Sequence, residues 1–423
     1  VLPSIPRPKD EVVPPTIMPR QDKNKKQAKE IPIENVVSPI LSLPQPKPIS
    51  PIYENDKVEE KNFSFSYMGT TCEVRLPKDL NIRMSGCESC MIATIWKQLA
   101  TNAMDNTIRD FLALRLKMQL CDWAYLNLID TFAKAFCGHG NEAVIMAAFI
   151  YSQSGYKMRL GRDCEKLYLL YGSKHGIYEK GYIVIEGINY YPLDDKVERM
   201  EISDFSFPQE QSMSLYIENA QKFTIRPSAK RKLASEQYHD VTIDSQVNLN
   251  LIQFYNTYPS SEVNGNFMTR WKMYADTPMD ESVSQMLYPD IKNKIEGLSD
   301  VQAVNQILNW VQTAFQYEYD DKVWGHDRAF FAEETLYYPY CDCEDRAILF
   351  TRLVRDLLGL KCILVYYPGH LASAVCLKQQ VNGDYISLDG DVYTICDPTY
   401  IGAPVGITMP EMDNRSAKVI KLL

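Results

Sequence analysis

No apolar run in this chain approaches the ~18 residues that a membrane-spanning helix needs, so no transmembrane segment is expected. Positive charge is not in excess either. The 45 Lys and Arg face 54 Asp and Glu, and a net charge of −9 gives no electrostatic reason to expect nucleic acid or an anionic membrane as partner. An even cysteine count is also lacking, and eleven cysteines cannot all pair within one chain. Buried free thiols in a reducing compartment therefore compete with an exported protein carrying a few disulfides, and the count alone favours the thiols. Cys87-Glu88-Ser89-Cys90 has the gap of a zinc half-site but lacks a second pair with nearby His, so buried thiols at a helix start are expected there. No metal and no cofactor is expected elsewhere. The initiator Met is absent too, as in a chain from which a signal peptide or anchor has been removed. What is present, 45% apolar and 23% charged over 423 residues, is the composition of an ordinary globular protein with room for about two domains.

Prolines crowd the start: residues 1–51 hold twelve of the twenty-four. With Lys-rich stretches such as Gln21-Asp22-Lys23-Asn24-Lys25-Lys26 and few aromatics, this segment cannot bury enough apolar surface to offset its ordering entropy. It is expected to be an extended, disordered spacer over 1–61. Folding is expected from Asn62, where Phe63-Ser64-Phe65-Ser66-Tyr67 and Thr71-Cys72-Glu73-Val74 alternate about Gly69 as a hairpin does. Helical spacing runs from Cys90 to Phe136, as in Ile108, Phe111 and Leu112, and returns from Pro278 to Tyr319 through Val304, Ile307, Leu308 and Val311. Residues 181–225 and 239–274 read as strand-rich.

An internal repeat links the two halves. Tyr182-Ile183-Val184-Ile185-Glu186-Gly187-Ile188-Asn189-Tyr190 resembles Tyr385-Ile386-Ser387-Leu388-Asp389-Gly390-Asp391-Val392-Tyr393 at a constant shift, which also lays Asp194 on Asp397. One residue of adjustment aligns Cys137, Ala143, Gly155 and Lys157 with Cys341, Ala347, Gly359 and Lys361. Two copies of one helix–strand–strand unit are the simplest explanation.

In the second copy, Cys343, His370 and Asp397 follow one another with a helix after the first and strands carrying the other two. Ala347, Phe350, Val354 and Leu357 give that helix an apolar face, and Gly359 gives it a stop. A cysteine in the first turn meets free backbone N–H groups and the positive end of the dipole, which favour a thiolate, as would a neighbouring imidazolium. His370 opens a strand of small residues, and Asp397 would hold the ring nitrogen facing away from the sulfur. This order suits a thiolate–imidazolium–carboxylate triad and covalent catalysis. The Cys343 N–H would serve an oxyanion hole, with Trp324 and Gln316 as candidates for a second donor, although singly Trp324 reads as core and Gln316 as a solvated helix residue. The first copy carries His139 and Leu167 where the second has Cys343 and His370, keeps only Asp194, and is expected to be a catalytically dead scaffold or substrate-docking platform. Glu344 and Asp345 are expected as first-turn acids that need no metal.

Asp342-Cys343-Glu344-Asp345, Gly369-His370 and Asp397-Pro398-Thr399 together resemble the core motif of the transglutaminase-like superfamily, a group related to papain-like cysteine proteases that includes bacterial cysteine proteinases. The resemblance is specific from about Asp300 to the C-terminus and weaker over the first copy. It implies a nucleophile at Cys343, a base at His370 and an orienting acid at Asp397, acting on a protein or peptide. Cys341 stands where the family commonly has Gly, and its oxidation together with Cys343 would silence the enzyme. Members span peptide hydrolysis, deamidation and cross-linking. Hydrolysis is favoured because nothing in the sequence marks an acceptor-lysine site; the alternatives are a protein-glutamine acyl transferase and a non-catalytic binding or scaffold protein, the last expected to have a sealed site at Cys343.

An α+β protein is thus expected: a degenerate transglutaminase-like module over 62–195, a strand-rich connecting region over 196–277, and a catalytic module over 278–423. The spacer and the resemblance suggest an exported bacterial protein, periplasmic or surface-tethered, while the thiol count points toward the cytoplasm.

Overall fold

The computed structural model describes residues 2–8, 12–18, 28–38, 44–52, 60–163, 165–194, 200–203, 205–379 and 381–423. The Lys-rich stretch from Gln21 to Lys26 lies outside the described residues. The protein is mixed α and β, and by its internal contacts it divides into two compact units. The first contains Val1–Arg7, Ser42–Thr224 and Thr257–Gly265, the second Pro8–Leu41, Ile225–Asn256 and Asn266–Leu423. Among the described residues no helix is long and apolar enough to cross a membrane.

In the first unit the expected hairpin forms from Phe63–Tyr67 and Thr70–Val74. Its turn at Met68-Gly69 has positive φ at both positions, 44° and 70°, which matches the right-handed twist of paired strands. Alternation buries Phe65, Tyr67, Cys72 and Val74. The Phe65 ring packs at a tilt against Phe111 and Phe132 on the helices Asn102–Lys117 and Asp122–Cys137. The next helix, Asn141–Gln153, is apolar nearly all round and correspondingly buried. It lies on a five-stranded antiparallel sheet ordered Glu201–Ile202, Met158–Asp163, Lys166–Ser173, Ile188–Pro192, Ile183–Ile185.

The second unit has helices Glu281–Ile295, Asp300–Ala314 and Cys343–Leu358, the second opened by a Ser299–Gln302 capping box. Its sheet has seven strands, ordered Lys29–Glu30, Asp384–Leu388, Asp391–Cys396, His370–Cys376, Cys362–Tyr367, Lys418–Lys421, Val36–Val37. The inner five pair antiparallel, and the two outermost add parallel.

The repeat read from the sequence has a structural counterpart. In each unit a helix leads into four strands of one order and sense, and a short later strand joins the edge formed by the first of them. Even the turns agree: Glu186-Gly187 has φ of 51° and 77°, and Asp389-Gly390 has 53° and 85°. Both residues of such a turn must be left-handed, so an acid followed by Gly recurs in both copies.

Two expectations are corrected. The Pro-rich leader is not a plain spacer, because Lys29–Glu30 and Val36–Val37 pair at opposite edges of the seven-stranded sheet and Ile31 enters its core. These short Pro-free stretches keep their N–H groups, and an edge strand requires pairing on one side only. The region 239–274 is not strand-rich throughout, for it holds the helices Leu249–Thr257 and Met268–Asp276. Short apolar and aromatic runs buried on all sides have the same composition in a helix as in a strand. The supposed connector 196–277 is shared between the two units.

Candidate active site

Cys343 is the first residue of its helix. The N-cap Asp342 accepts the Glu344 N–H at 3.2 Å, while Asp345 accepts the Asp342 N–H at 3.1 Å and the Phe330 N–H at 2.8 Å. At the other end Gly359 takes the left-handed conformation with φ 64°. The helix is tied down by Arg346, which donates to the carbonyls of Gln312 and Phe315 at 3.1 and 2.7 Å.

His370 follows a two-residue turn, Pro368-Gly369, between the paired residues Tyr367 and His370. Pro presets the first turn position, and Gly369 supplies the φ of 77° that the second requires. Asp397 directly follows the neighbouring strand, which ends at Cys396, and its Oδ2 lies 2.9 Å from His370 Nε2. Its Oδ1 accepts the N–H groups of Thr399 and Tyr400 at 2.9 and 3.2 Å. The loop after Asp397 is stapled by Gln312, whose amide nitrogen donates to the carbonyls of Asp397, Tyr400 and Ala403 at 2.8–3.0 Å. The Gln312 oxygen accepts the Gly402 N–H at 3.1 Å.

With Nε2 turned to Asp397, the other ring nitrogen, Nδ1, is buried and has no hydrogen-bond partner among the described residues. His370 and Cys343 line one cavity of about 30 Å³. That is room for a water or two, since a water needs ~10–15 Å³ on this measure. The backbone N–H of Leu371, next to His370, bonds toward the Cys343 sulfur. As the first helical residue, Cys343 has an N–H with no acceptor inside its own helix.

The electrostatics differ from expectation. Burial pushes the Cys343 thiol well above its ordinary pKa, and the charges of Asp342 and Glu344 add to the effect. The expected thiolate-favouring helix start is outweighed because the sulfur is only 2% exposed and has acids as neighbours. Asp342, Glu344 and Asp345 are themselves raised well above the carboxylate range by burial and mutual repulsion, and Asp320 is pushed up to about 8, chiefly by burial and then by Glu344. Arg270 supplies the opposing charge, paired with Asp327 and 3.7 Å from Glu344. One carboxylate oxygen each from Asp320, Asp327 and Glu344 lie within 4.8 Å of one another, as do the ligand atoms of Asp342, Cys343 and Glu344, so either set could hold a cation.

The two expected oxyanion donors lie elsewhere. Trp324 packs on Phe330, Tyr338 and the Arg328 guanidinium, and Gln316 is an exposed strand residue whose carbonyl faces the Cys341 thiol. Neither lines the cavity; the indole that does is Trp271, which also faces Glu344. Trp271 and Arg270 sit on the helix Met268–Asp276 that was expected as strand, and no spacing in the sequence marks them. Cys341 and Cys343 are both free thiols, as are all described cysteines; Cys164 lies outside the described residues.

In the first unit His139, Leu167 and Asp194 also line one cavity, of about 440 Å³, at the start of the helix Asn141–Gln153. Asp130 and Lys134, an ion pair at 2.7 Å, line the same space.

No protein-family model matches the sequence, and neither a curated protein nor a solved structure is similar to it.

Proposed function

We propose that the protein is a cysteine-dependent amide or peptide hydrolase of the transglutaminase-like kind, with Cys343 as nucleophile, His370 as base and Asp397 as its orienter. The observation that carries this reading is the 2.9 Å pairing of His370 Nε2 with Asp397, with Nδ1 buried and unpartnered among the described residues, in a residue that lines the same cavity as Cys343. A proton on Nε2, directed at the carboxylate, leaves the Nδ1 lone pair to take the thiol proton. The sulfur then bonds to the carbonyl carbon of an amide, and the Cys343 N–H bears on the developing oxyanion. The imidazolium returns the proton to the leaving amine as the C–N bond breaks, giving a thioester. Water, losing a proton to His370, releases the acid and restores the thiol. The first unit, with His139 where the second has the thiol and Leu167 where it has the imidazole, lacks the thiol–imidazole pair and is read as a scaffold or substrate-docking platform.

The test is a cysteine-directed activity probe on the wild type beside Cys343→Ala and His370→Ala, with a labelled primary amine in a parallel reaction. Probe capture dependent on both residues, without amine incorporation, supports hydrolysis. Amine incorporation would make the enzyme an acyl transferase, and probe capture insensitive to His370→Ala would sink the triad.

A further inference from the structure

Pro8 and Val12 line the cavity over Cys343 and His370. The chain from Val12 to Met18 then runs along the same unit in extended form. The Val13 N–H donates to the carbonyl of Gly369, the residue before His370, at 2.9 Å. Further on, the Ile401 N–H donates to the Thr16 carbonyl and the Met18 N–H to the Ile401 carbonyl, both at 2.9 Å. This is a short parallel bridge with a loop that begins at Asp397. Ile17 is 71% exposed, whereas Met18 is 6% exposed and packs among Tyr400, Ala403, Ile407 and Met409.

We infer that this track, from the Gly369 carbonyl past Ile401 to the Met18 pocket, is the groove for an extended polypeptide substrate, and that the chain's own Val12–Met18 segment occupies it and keeps Cys343 shut. Main-chain bonds of this kind accept any sequence in extended form, and the side-chain pocket supplies the preference, here for an unbranched apolar residue such as Met. Cys343 and His370 are each 2% exposed, the remaining cavity holds a water or two, and Pro8 and Val12 form part of its wall, so departure of this stretch widens the way to the sulfur. The occupant is tethered, since Lys29–Glu30 and Ile31 are fixed in the sheet downstream, and tethering raises its effective concentration over a free competitor. The groove wall is preorganised by the Gln312 staple on Asp397, Tyr400 and Ala403.

The substrate half of this inference rests on the hydrolase reading, and the occupancy half does not. In the full chain, Val13→Pro/Met18→Asp removes one main-chain donor and puts a charge in the apolar pocket. The expected result is faster hydrogen exchange at the Ile401 amide and at least tenfold faster iodoacetamide labelling of Cys343, read by peptide mass spectrometry. A synthetic peptide spanning Val12–Met18 should slow that labelling again, and a scrambled one should not. Unchanged Cys343 labelling once the Ile401 amide exchanges freely would overturn the inference, as would failure of the peptide to protect. Should the double variant not fold, Ile17→Cys/Ile401→Cys asks the converse: its oxidised form should label more slowly at Cys343 than its reduced form, and equal rates overturn the inference. Faster labelling that His370→Ala leaves untouched would keep the occupied groove while removing the hydrolase reading.

Discussion

Around His139 the first unit leaves about 440 Å³ of space, while around Cys343, at the matching helix start of the second, only about 30 Å³ remains. The strand order and the turns are the same, so the scaffold alone brings a helix N-terminus, a strand start and a strand end to one place. What occupies those three positions is a separate matter. The first unit has imidazole, isobutyl and carboxyl; the second has thiol, imidazole and carboxyl. The charge around them also differs. Buried acids of the first unit each meet a guanidinium: Asp122 with Arg115 at 2.6 Å, Glu210 with Arg159 at 2.8 Å, Asp110 with Arg75 at 2.7 Å. In the second unit Asp342, Glu344 and Asp345 crowd one helix start, with Arg270 the cation beside Glu344. Pairing offsets part of the desolvation cost of each buried acid, whereas like charges crowded at one helix start add repulsion to that cost.

Removing the thiol breaks the comparison most sharply. On the proposed hydrolase reading, Cys343→Ala should lower amide hydrolysis by roughly 10⁴-fold or more, as loss of a nucleophile does elsewhere. His139→Ala, at the equivalent place, should leave the rate unchanged in the same assay. Next comes the acid that both copies share. Asp397→Asn reverses the hydrogen-bonding sense at His370 Nε2 and should cost about 10³–10⁴ in kcat, recovered by no change of pH. Asp194→Asn should cost nothing, and equal losses from the two would refute the division into competent and silent copies.

A smaller effect concerns the staple. Gln312→Leu leaves the carbonyls of Asp397, Tyr400 and Ala403 buried without that donor, and should destabilise the second unit by roughly 2–4 kcal/mol in denaturant unfolding. It should also lower kcat by loosening Asp397, and an unchanged midpoint would mean that the loop holds itself.

The smallest difference is a pair of opposite pH slopes. Burial pushes His175 of the first unit down to about 4 from 6.5. Its unfolded form binds the proton more readily, so this contribution is present above about 6.5 and is lost as pH falls toward 4. In the second unit Asp320 is pushed up to about 8 from 3.8, so the folded form holds the proton more tightly, and stability is lost as pH rises from about 4 through 8. Hydrogen exchange across pH 4–8 should show amides of the first unit opening toward acid and those of the second toward alkali. His175→Gln should flatten the first trend, and Asp320→Asn should reduce the second, which Asp342, Glu344 and Asp345 share; parallel slopes in both units would contradict these assignments.

Much of this arrangement was legible beforehand. The hairpin about Gly69 showed in its alternation, the helix from Cys343 in its spacing and Gly359 stop, and the repeat in the recurring acid-Gly turn. These are local signals, fixed by period and by the φ that only certain residues accept. Other features had no local sign. Arg270 and Trp271 reach the cavity from a helix whose composition read as strand. Ile31 left a Pro-rich leader for the core of a sheet. The Cys343 thiol was expected to be acidified by its helix, yet burial and neighbouring acids drive it the other way. The linear order of residues determined which chemical groups stand at helix starts and strand ends, because backbone geometry there depends on near neighbours. Only the tertiary structure decided how much water and which charges reach them, because desolvation and Coulomb energy depend on groups brought in from distant parts of the chain.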